Sequence, residues 1–466
     1  MTFASAVINQ EDRTENGMKT RAGSASACVD LFYKIGASRK EDITPTFVQA
    51  YVEDSELAFR IVAWARDARQ GAGERETFRS ILRYVENADP DFAIELALKI
   101  PELGRWDDLF AFQTLQLREF AFGMIGAALE DGNRLAAKWC PRKGPDAVAL
   151  RKFLMLSPKA YRKLLVRLTE VVETQMCAGT WDKIDFSKVP SVAAARYRTA
   201  FARHTPKYAE YVAALVRGDE GVKINADAVF PHDILRGYFE GNNDSTSRQA
   251  LVAQWNALPN LIGDASVLPM ADVSGSMEDC IDQSGLSAMM VAIGMSLYCA
   301  DKNRGPFKDV ILTFSSRPRL YKVSGDVIQK YESLSQADWD MSTDLHAALD
   351  LILHTAVKGS VAPEDMPKTL LIFSDMQFNA CVRHDDSAIE MIRRKYEEAG
   401  YAMPKVVFWN LKNSKGIPVK FDESGTVLVS GYSPNVMKSV LNAASTTPYE
   451  AMLQTVGIDR YAPTFA

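Results

Sequence analysis

Near residue 260 the hydrophobic rhythm of the chain changes, and with it the kind of element the chain can build. From Thr44 to Leu258 apolar residues recur every three or four positions, as in FVQAYVEDSELAFRIVAWARDARQG and DFAIELALKIPELGRWDDLFAFQTLQLREFAFGMIGAALE. That spacing gathers them on one face of a helix. After it come short runs rich in Val, Ile, Leu and Phe: ASVLPMADVSGSM, KDVILTFSS, KTLLIFSDM, KVVFWNLK and GTVLVSGYS. Such runs read as strands buried on both faces. Helical stretches separate them: GLSAMMVAIGMSLYCAD, DLHAALDLILHTAV, DSAIEMIRRKYEEAG and SPNVMKSVLNAA. The alternation predicts a doubly wound α/β sheet, whose ligands sit at the carboxyl ends of its strands.

A chain of 466 residues exceeds one ordinary core. The change of rhythm divides it into an N-terminal arm over 1–43, an all-α unit over 44–260, and an α/β unit with a C-terminal tail over 261–466. Helix after helix with short polar connections points to stacked helix pairs, an α-solenoid, although no strict period repeats. Asp89-Pro90 fits an N-cap followed by a first-turn proline, and Gly71 and Gly104 fit helix exits with positive φ. ARQGAGERETF lacks the Lys-Ser/Thr ending of a phosphate-binding loop and reads as a helix–helix connection. Trp106 and Trp181 read as packed anchors with a polar handle. The tail TTPYEAMLQTVGIDRYAPTFA fits two placements: a last helix on the α/β unit, or an arm returning to the helical unit through Met452, Leu453 and Tyr461.

With 47% hydrophobic and 24% charged residues, the chain has enough apolar surface to form packed cores. No run approaches the roughly 18 apolar residues of a membrane helix, and the start lacks a basic stretch leading into an apolar one. A cytoplasmic protein without membrane association is expected. Cys28, Cys140, Cys177, Cys280, Cys299 and Cys381 are scattered, with no CxxC and no nearby histidine, and read as reduced, mostly buried thiols.

The segment ADVSGSM follows the apolar run SVLPM and precedes a helix, so Asp272, Ser274 and Ser276 fall on a loop at a strand's carboxyl end. A carboxylate and two hydroxyls are hard oxygen donors, suited to Mg²⁺ or Mn²⁺ and unsuited to zinc. Gly275 is read as the residue that turns the loop. Two further donors occur in order: Thr343, at the N-cap of the helix in MSTDLHAAL, and Asp375, ending the strand in LLIFSDMQF. The plainer alternative is that Asp272 and the serines cap the helix that follows.

The formal net charge is -5, yet residues 131–217 carry 17 basic and 7 acidic side chains. Lys138, Arg142, Lys143, Arg151, Lys152, Lys159, Arg162, Lys163 and Arg167 are interleaved there with Trp139, Phe153 and Tyr161. Cations and flat rings suit phosphates and unpaired bases, so RNA is the expected partner. A solvated helix face is the competing reading.

The order ENGMKT, ARQGAGERETF, GRWDDL, KWCPR, VPS, DVSGSM, FSDMQF, AGYAMPKVVFWN and SGYSP resembles, over nearly the whole chain, an uncharacterised group of von Willebrand A proteins found in bacteria, large viruses, phages and plants. DxSxS followed by Thr and then Asp resembles the metal-ion-dependent adhesion site of von Willebrand A domains. The group is similar in turn to the Ro (TROVE) proteins, in which a ring of HEAT-like helical repeats is closed by a von Willebrand A domain. This resemblance implies that Ser274, Ser276 and Thr343 touch the metal, that Asp272 and Asp375 act largely through water or serine, and that a sixth position awaits a ligand oxygen. It also implies RNA quality control as the setting, and a basic helical surface that engages structured or misfolded RNA.

Three functions follow in order of preference. The first is a non-enzymatic Ro-like RNA-binding scaffold whose metal accepts a carboxylate. The second is a protein-interaction module whose metal captures an Asp or Glu of a partner, for example an AAA+ ATPase. A metal-dependent phosphohydrolase ranks last, because the motif brings no general base beyond its own ligands, and His346 is read as a packing residue. His204, His232, His354 and His384 form no cluster in the sequence.

Overall fold

The computed structural model describes residues 11–14, 19–169, 171–240, 244–314, 317–335, 344–378, 388–412, 416–442 and 447–464. Among them the architecture is mixed α/β, with a helical N-terminal half leading into one six-stranded sheet. A hairpin of β1 (Glu11–Arg13) and β2 (Lys19–Arg21) opens the chain. The helices that follow are α1 (Ala27–Ile35), α2 (Thr44–Glu53), α3 (Ser55–Arg66), α4 (Glu76–Ala88), α5 (Pro90–Leu103), α6 (Leu115–Glu130) and α7 (Arg134–Trp139). Next come α8 (Gly144–Phe153), α9 (Pro158–Leu168), α10 (Val172–Cys177), α11 (Ser191–His204), α12 (Pro206–Arg217), α13 (Pro231–Glu240) and α14 (Ser245–Asn256).

One start signal recurs. Asp89, Ser157, Thr205 and Thr447 each accept a backbone N–H of the first turn, and each is followed by a proline that needs no N–H partner there. The expected helix exits differ. Neither Gly71 nor Gly104 has a positive φ. Each is small because something lies close: a Cβ on Gly71 would sit 2.0 Å from the Trp64 carbonyl oxygen, and one on Gly104 2.7 Å from Asp108 Oδ2. Asp108 is fully buried and accepts from Arg66 Nε (2.7 Å) and Arg79 Nε (2.8 Å), which ties three helical segments together. Trp106 is buried beside it, while half-buried Trp181 stacks on His204 with ring centres 4.4 Å apart.

The sheet contains β3 (Val267–Ala271), β4 (Val310–Thr313), β5 (Leu320–Lys322), β6 (Thr369–Ser374), β7 (Lys405–Asn410) and β8 (Thr426–Ser430). Their order is β5-β4-β3-β6-β7-β8, with every neighbouring pair parallel except β5 on β4. All five apolar runs expected as strands are strands, and β3, β6 and β8 are buried at every residue. Between and after them lie α15 (Ala288–Lys302), α16 (Val327–Ser335), α17 (Leu345–Gly359), α18 (Ala388–Glu398), α19 (Val436–Asn442) and α20 (Pro448–Val456).

The two halves share one apolar core. Helix α1, within the expected N-terminal arm, is docked against β8. Gly36 N donates to Ser430 Oγ (2.9 Å), Ser430 Oγ donates to the Phe32 carbonyl (3.1 Å), and Asn410 Nδ2 donates to the Tyr33 carbonyl (3.3 Å). A Cβ on Gly36 would stand 2.6 Å from the Ser430 carbonyl oxygen, so this approach needs glycine. The tail takes both placements open to it: α20 packs on β8, and beyond it Arg460 Nε (2.6 Å) and Tyr461 Oη (3.1 Å) donate to Asp67 of the helical half. Ile184, Phe186, Val189, Phe201, Tyr208 and Val212 belong to a smaller separate core. No helix among the described residues is long and apolar enough to cross a membrane.

Candidate metal centre

Strands β3 and β6 run side by side in register, with Ala271 opposite Phe373, so Asp272 and the Ser374–Asp375 pair leave the sheet together at its carboxyl edge. Asp272 Oδ1 accepts from Ser274 N (2.9 Å) and Oδ2 accepts from Ser374 Oγ (2.5 Å). Ser374 Oγ in turn accepts from Met376 N (2.9 Å), and Asp375 Oδ1 accepts from Gln377 N (3.2 Å). The hydroxyls of Ser274 and Ser276 lie 3.2 Å apart. Ser274 precedes a 3-10 turn over Gly275–Glu278, and Gly275 turns the loop without a positive φ. The unusual backbone is at Met376, buried with φ +65°, a conformation costing a non-glycine residue on the order of 1–3 kcal/mol that the surrounding contacts hold in place.

Asp272 and Asp375 are both buried. Burial, and after it the charge of Asp375, pushes the Asp272 carboxyl up to about 6, against the opposing hydrogen bonds from Ser374 and Ser274. Tyr33 of α1 also faces this place. The residue is 1% exposed, and its buried hydroxyl has no hydrogen-bond partner among the described residues and is raised well above its ordinary value by burial and then by Asp375. At the outer rim Lys412 Nζ donates to the Ser276 carbonyl (3.2 Å) and to Asp279 Oδ2 (2.6 Å). Ser276 is half-buried and Gly275 exposed, so the loop meets solvent on that side.

Two neighbouring buried carboxylates, paired hydroxyls and an orphaned buried phenol are a donor set that a hard dication would satisfy. The residues present therefore fit Mg²⁺ or Mn²⁺, with Asp272, Ser274, Ser276 and Asp375 to hold it. Among the described residues no three His, Cys, Asp or Glu side chains cluster as a metal site, so the serine hydroxyls are essential to this assignment. Thr343 and His384 lie outside the described residues. Asp344 is the N-cap of α17, accepting from Ala347 N. His346 joins an ion cluster, with Nδ1 3.2 Å from Asp350 and Nε2 3.0 Å from Lys395 Nζ.

The basic positions fall on α7, α8, α9 and their connections. Arg142, Lys143, Lys152, Lys159, Arg162, Lys163 and Arg167 are exposed, and Lys138 and Arg151 are half-buried. Phe153 is 41%, Val166 62% and Met155 93% exposed among them. Trp139 instead has Arg105 stacked on its ring (3.7 Å to the ring centre) and Lys138 at 5.6 Å, and Tyr161 is buried, so the described rings here are already engaged by the protein.

Comparison with known proteins adds two matches in tandem. Residues 14–99 and 142–268 match a domain of unknown function, DUF2828, and residues 266–459 match a second, DUF7788. An uncharacterized protein of Acanthamoeba polyphaga mimivirus is 30% identical over 511 residues, covering 95% of this chain and 86% of its own length. The chain belongs to the family of that viral protein. In this family's layout Asp272, Ser274, Ser276 and Asp375 all lie in the second module, whereas Tyr33 comes from the first. No sequence signal marks Tyr33, one aromatic on an amphipathic helix. Ser374, the last residue of β6, is not marked by the sequence either, because its bond to Asp272 depends on strand order.

Proposed function

We propose that this chain is a non-enzymatic RNA-binding scaffold of the Ro type: a HEAT-like helical half joined to a von Willebrand A-type unit that carries a Mg²⁺ or Mn²⁺ adhesion site. The observation that supports it most is the surface of α8 and α9, where Lys152, Lys159, Arg162, Lys163 and Arg167 are exposed, form no ion pair with any described residue and stand among exposed Phe153, Met155 and Val166. A merely solvated face would carry acidic partners at helical spacing. Unpaired cations beside apolar groups suit a phosphate backbone with unstacked bases.

Gel-shift titration with a structured RNA tests the reading. Affinity should fall steeply between 50 and 200 mM salt (roughly 10³–10⁵-fold for 6–10 phosphate contacts), and the combined Lys152→Glu, Arg162→Glu and Lys163→Glu variant should bind weakly and with a shallower salt slope. Binding that is absent at 50 mM salt, or indifferent to salt, removes it.

A second reading, a module that captures a partner's carboxylate, draws on the solvent-facing side of the centre at Gly275 and half-buried Ser276. Under it, Asp272→Ala abolishes partner recovery in pull-downs while RNA binding survives. Turnover of a generic phosphoester, lost in Asp375→Ala, would favour a phosphohydrolase over both.

A further inference from the structure

A cavity of about 520 Å³ lies between α11, α13 and the loop around Ser284, away from α8 and α9 and distinct from the metal loop. Arg198 of α11 forms part of its wall. Its side chain is 6% exposed, and its guanidinium donates to the carbonyls of Ala195 (3.1 Å) and Gly237. A Cβ on Gly237 would fall 2.2 Å from the guanidinium, so the glycine is what lets Arg198 lie across α13. Both of these acceptors are neutral. No carboxylate among the described residues forms an ion pair with Arg198, and the more distant Asp244 and the Tyr208 hydroxyl do not offset its burial, which holds it below its usual value.

A buried charge without a counter-ion is costly, and folded proteins pair such groups with rare exceptions. Here the missing partner has room. Arg198 has five N–H donors and spends two on carbonyls. Exposed Arg196 lines the same cavity, as do Thr199 and Arg236, the latter braced by Ser284 Oγ at 2.7 Å. Among the described residues Asp233 is the one acidic residue in the lining. Planar forks lining one space suit an oxyanion, and a group with several charged oxygens, such as phosphate, can engage more than one of them at once.

We infer that this cavity is a phosphate-binding site, with Arg198 as the buried anchor and Arg196 and Arg236 at its mouth. The inference does not rest on the RNA-binding reading, since inorganic phosphate alone should occupy the site.

Isothermal titration of the full chain with inorganic phosphate, at constant ionic strength set with chloride, tests it. One saturable site is expected. Arg196→Glu, on an exposed side chain with no fold-supporting contact, should weaken it at least tenfold, and Arg198→Met should abolish it. Arg162→Glu on α9 should leave it unchanged. If Arg198→Met does not fold, Arg196→Glu still decides. Competition then identifies the source: a 5′-phosphorylated oligoribonucleotide that displaces phosphate, while its unphosphorylated counterpart does not, indicates an RNA end, and displacement by both indicates the backbone. No saturable heat with the wild type, or equal affinity in Arg196→Glu, overturns the proposal.

Discussion

Replacing Asp272 by Asn separates the metal reading from a purely structural one. In the absence of a cation the Asp272 carboxylate is a liability: its rise from 3.8 to about 6 corresponds to ~3 kcal/mol of folded-state destabilisation at pH 7. The sign follows from the proton count. Below about pH 4 the carboxyl is neutral folded and unfolded, and no penalty exists; the penalty develops between about pH 4 and 6 and is complete above. Asn keeps the shape. Its carbonyl can accept from Ser274 N, and its amide can donate to Ser374 Oγ, which rotates to accept. In EDTA, therefore, Asp272→Asn should be at least as stable as wild type and up to ~3 kcal/mol more so, with a melting temperature equal to or above that of wild type. With Mg²⁺ at a hundred times its dissociation constant the wild type should gain ~2.7 kcal/mol and the variant nothing, so the order closes or reverses. Scanning fluorimetry of both proteins in both media reads this directly. A variant destabilised equally with and without cation would refute the reasoning, because Asp272 would then matter only for its hydrogen bonds.

Three further outcomes are expected. Tyr33→Phe removes a buried hydroxyl that makes no bond, so in EDTA it should be neutral or stabilising by up to ~1 kcal/mol, and should diminish the Mg²⁺-induced gain if that hydroxyl serves the occupied centre; a loss of more than 2 kcal/mol in EDTA would contradict it. Asp108→Ala strands Arg66 in the interior and should cost about 3–5 kcal/mol in denaturant unfolding, whereas a cost under 1 kcal/mol would mean the pair is not buried in solution. His232 is fully buried, its Nδ1 lacks a partner, and burial lowers it from 6.5 to about 4, with Asp233 and Asp282 opposing and Arg39 and Arg236 adding to the effect. Folded protein then binds its proton less readily than unfolded protein, so stability is whole above pH 6.5 and about 3 kcal/mol is lost as pH falls toward 4. The difference between wild type and His232→Gln isolates this loss, because the opposite contribution of Asp272 cancels; parallel curves from pH 7 to 4.5 would refute it.

The five buried strands were legible because period and composition are local properties: a run that is apolar throughout can only be satisfied in a buried position, whatever surrounds it. The pairing of Asp272 with Asp375 was legible for a related reason, since parallel sheets bring their strand ends to one edge. Several features were not. Tyr33, Gly36 and Arg460 are ordinary residues on their own segments, and their roles arise from docking α1 and the tail against segments hundreds of positions away in the sequence. Gly71 and Gly104 look like helix exits in any window, but their smallness answers to atoms of Trp64 and Asp108 that no local pattern contains. Arg198 looked like one cation in a basic stretch. What distinguishes it is desolvation without a counter-ion, a property of the space around a side chain, and that space exists only once α11 and α13 have packed.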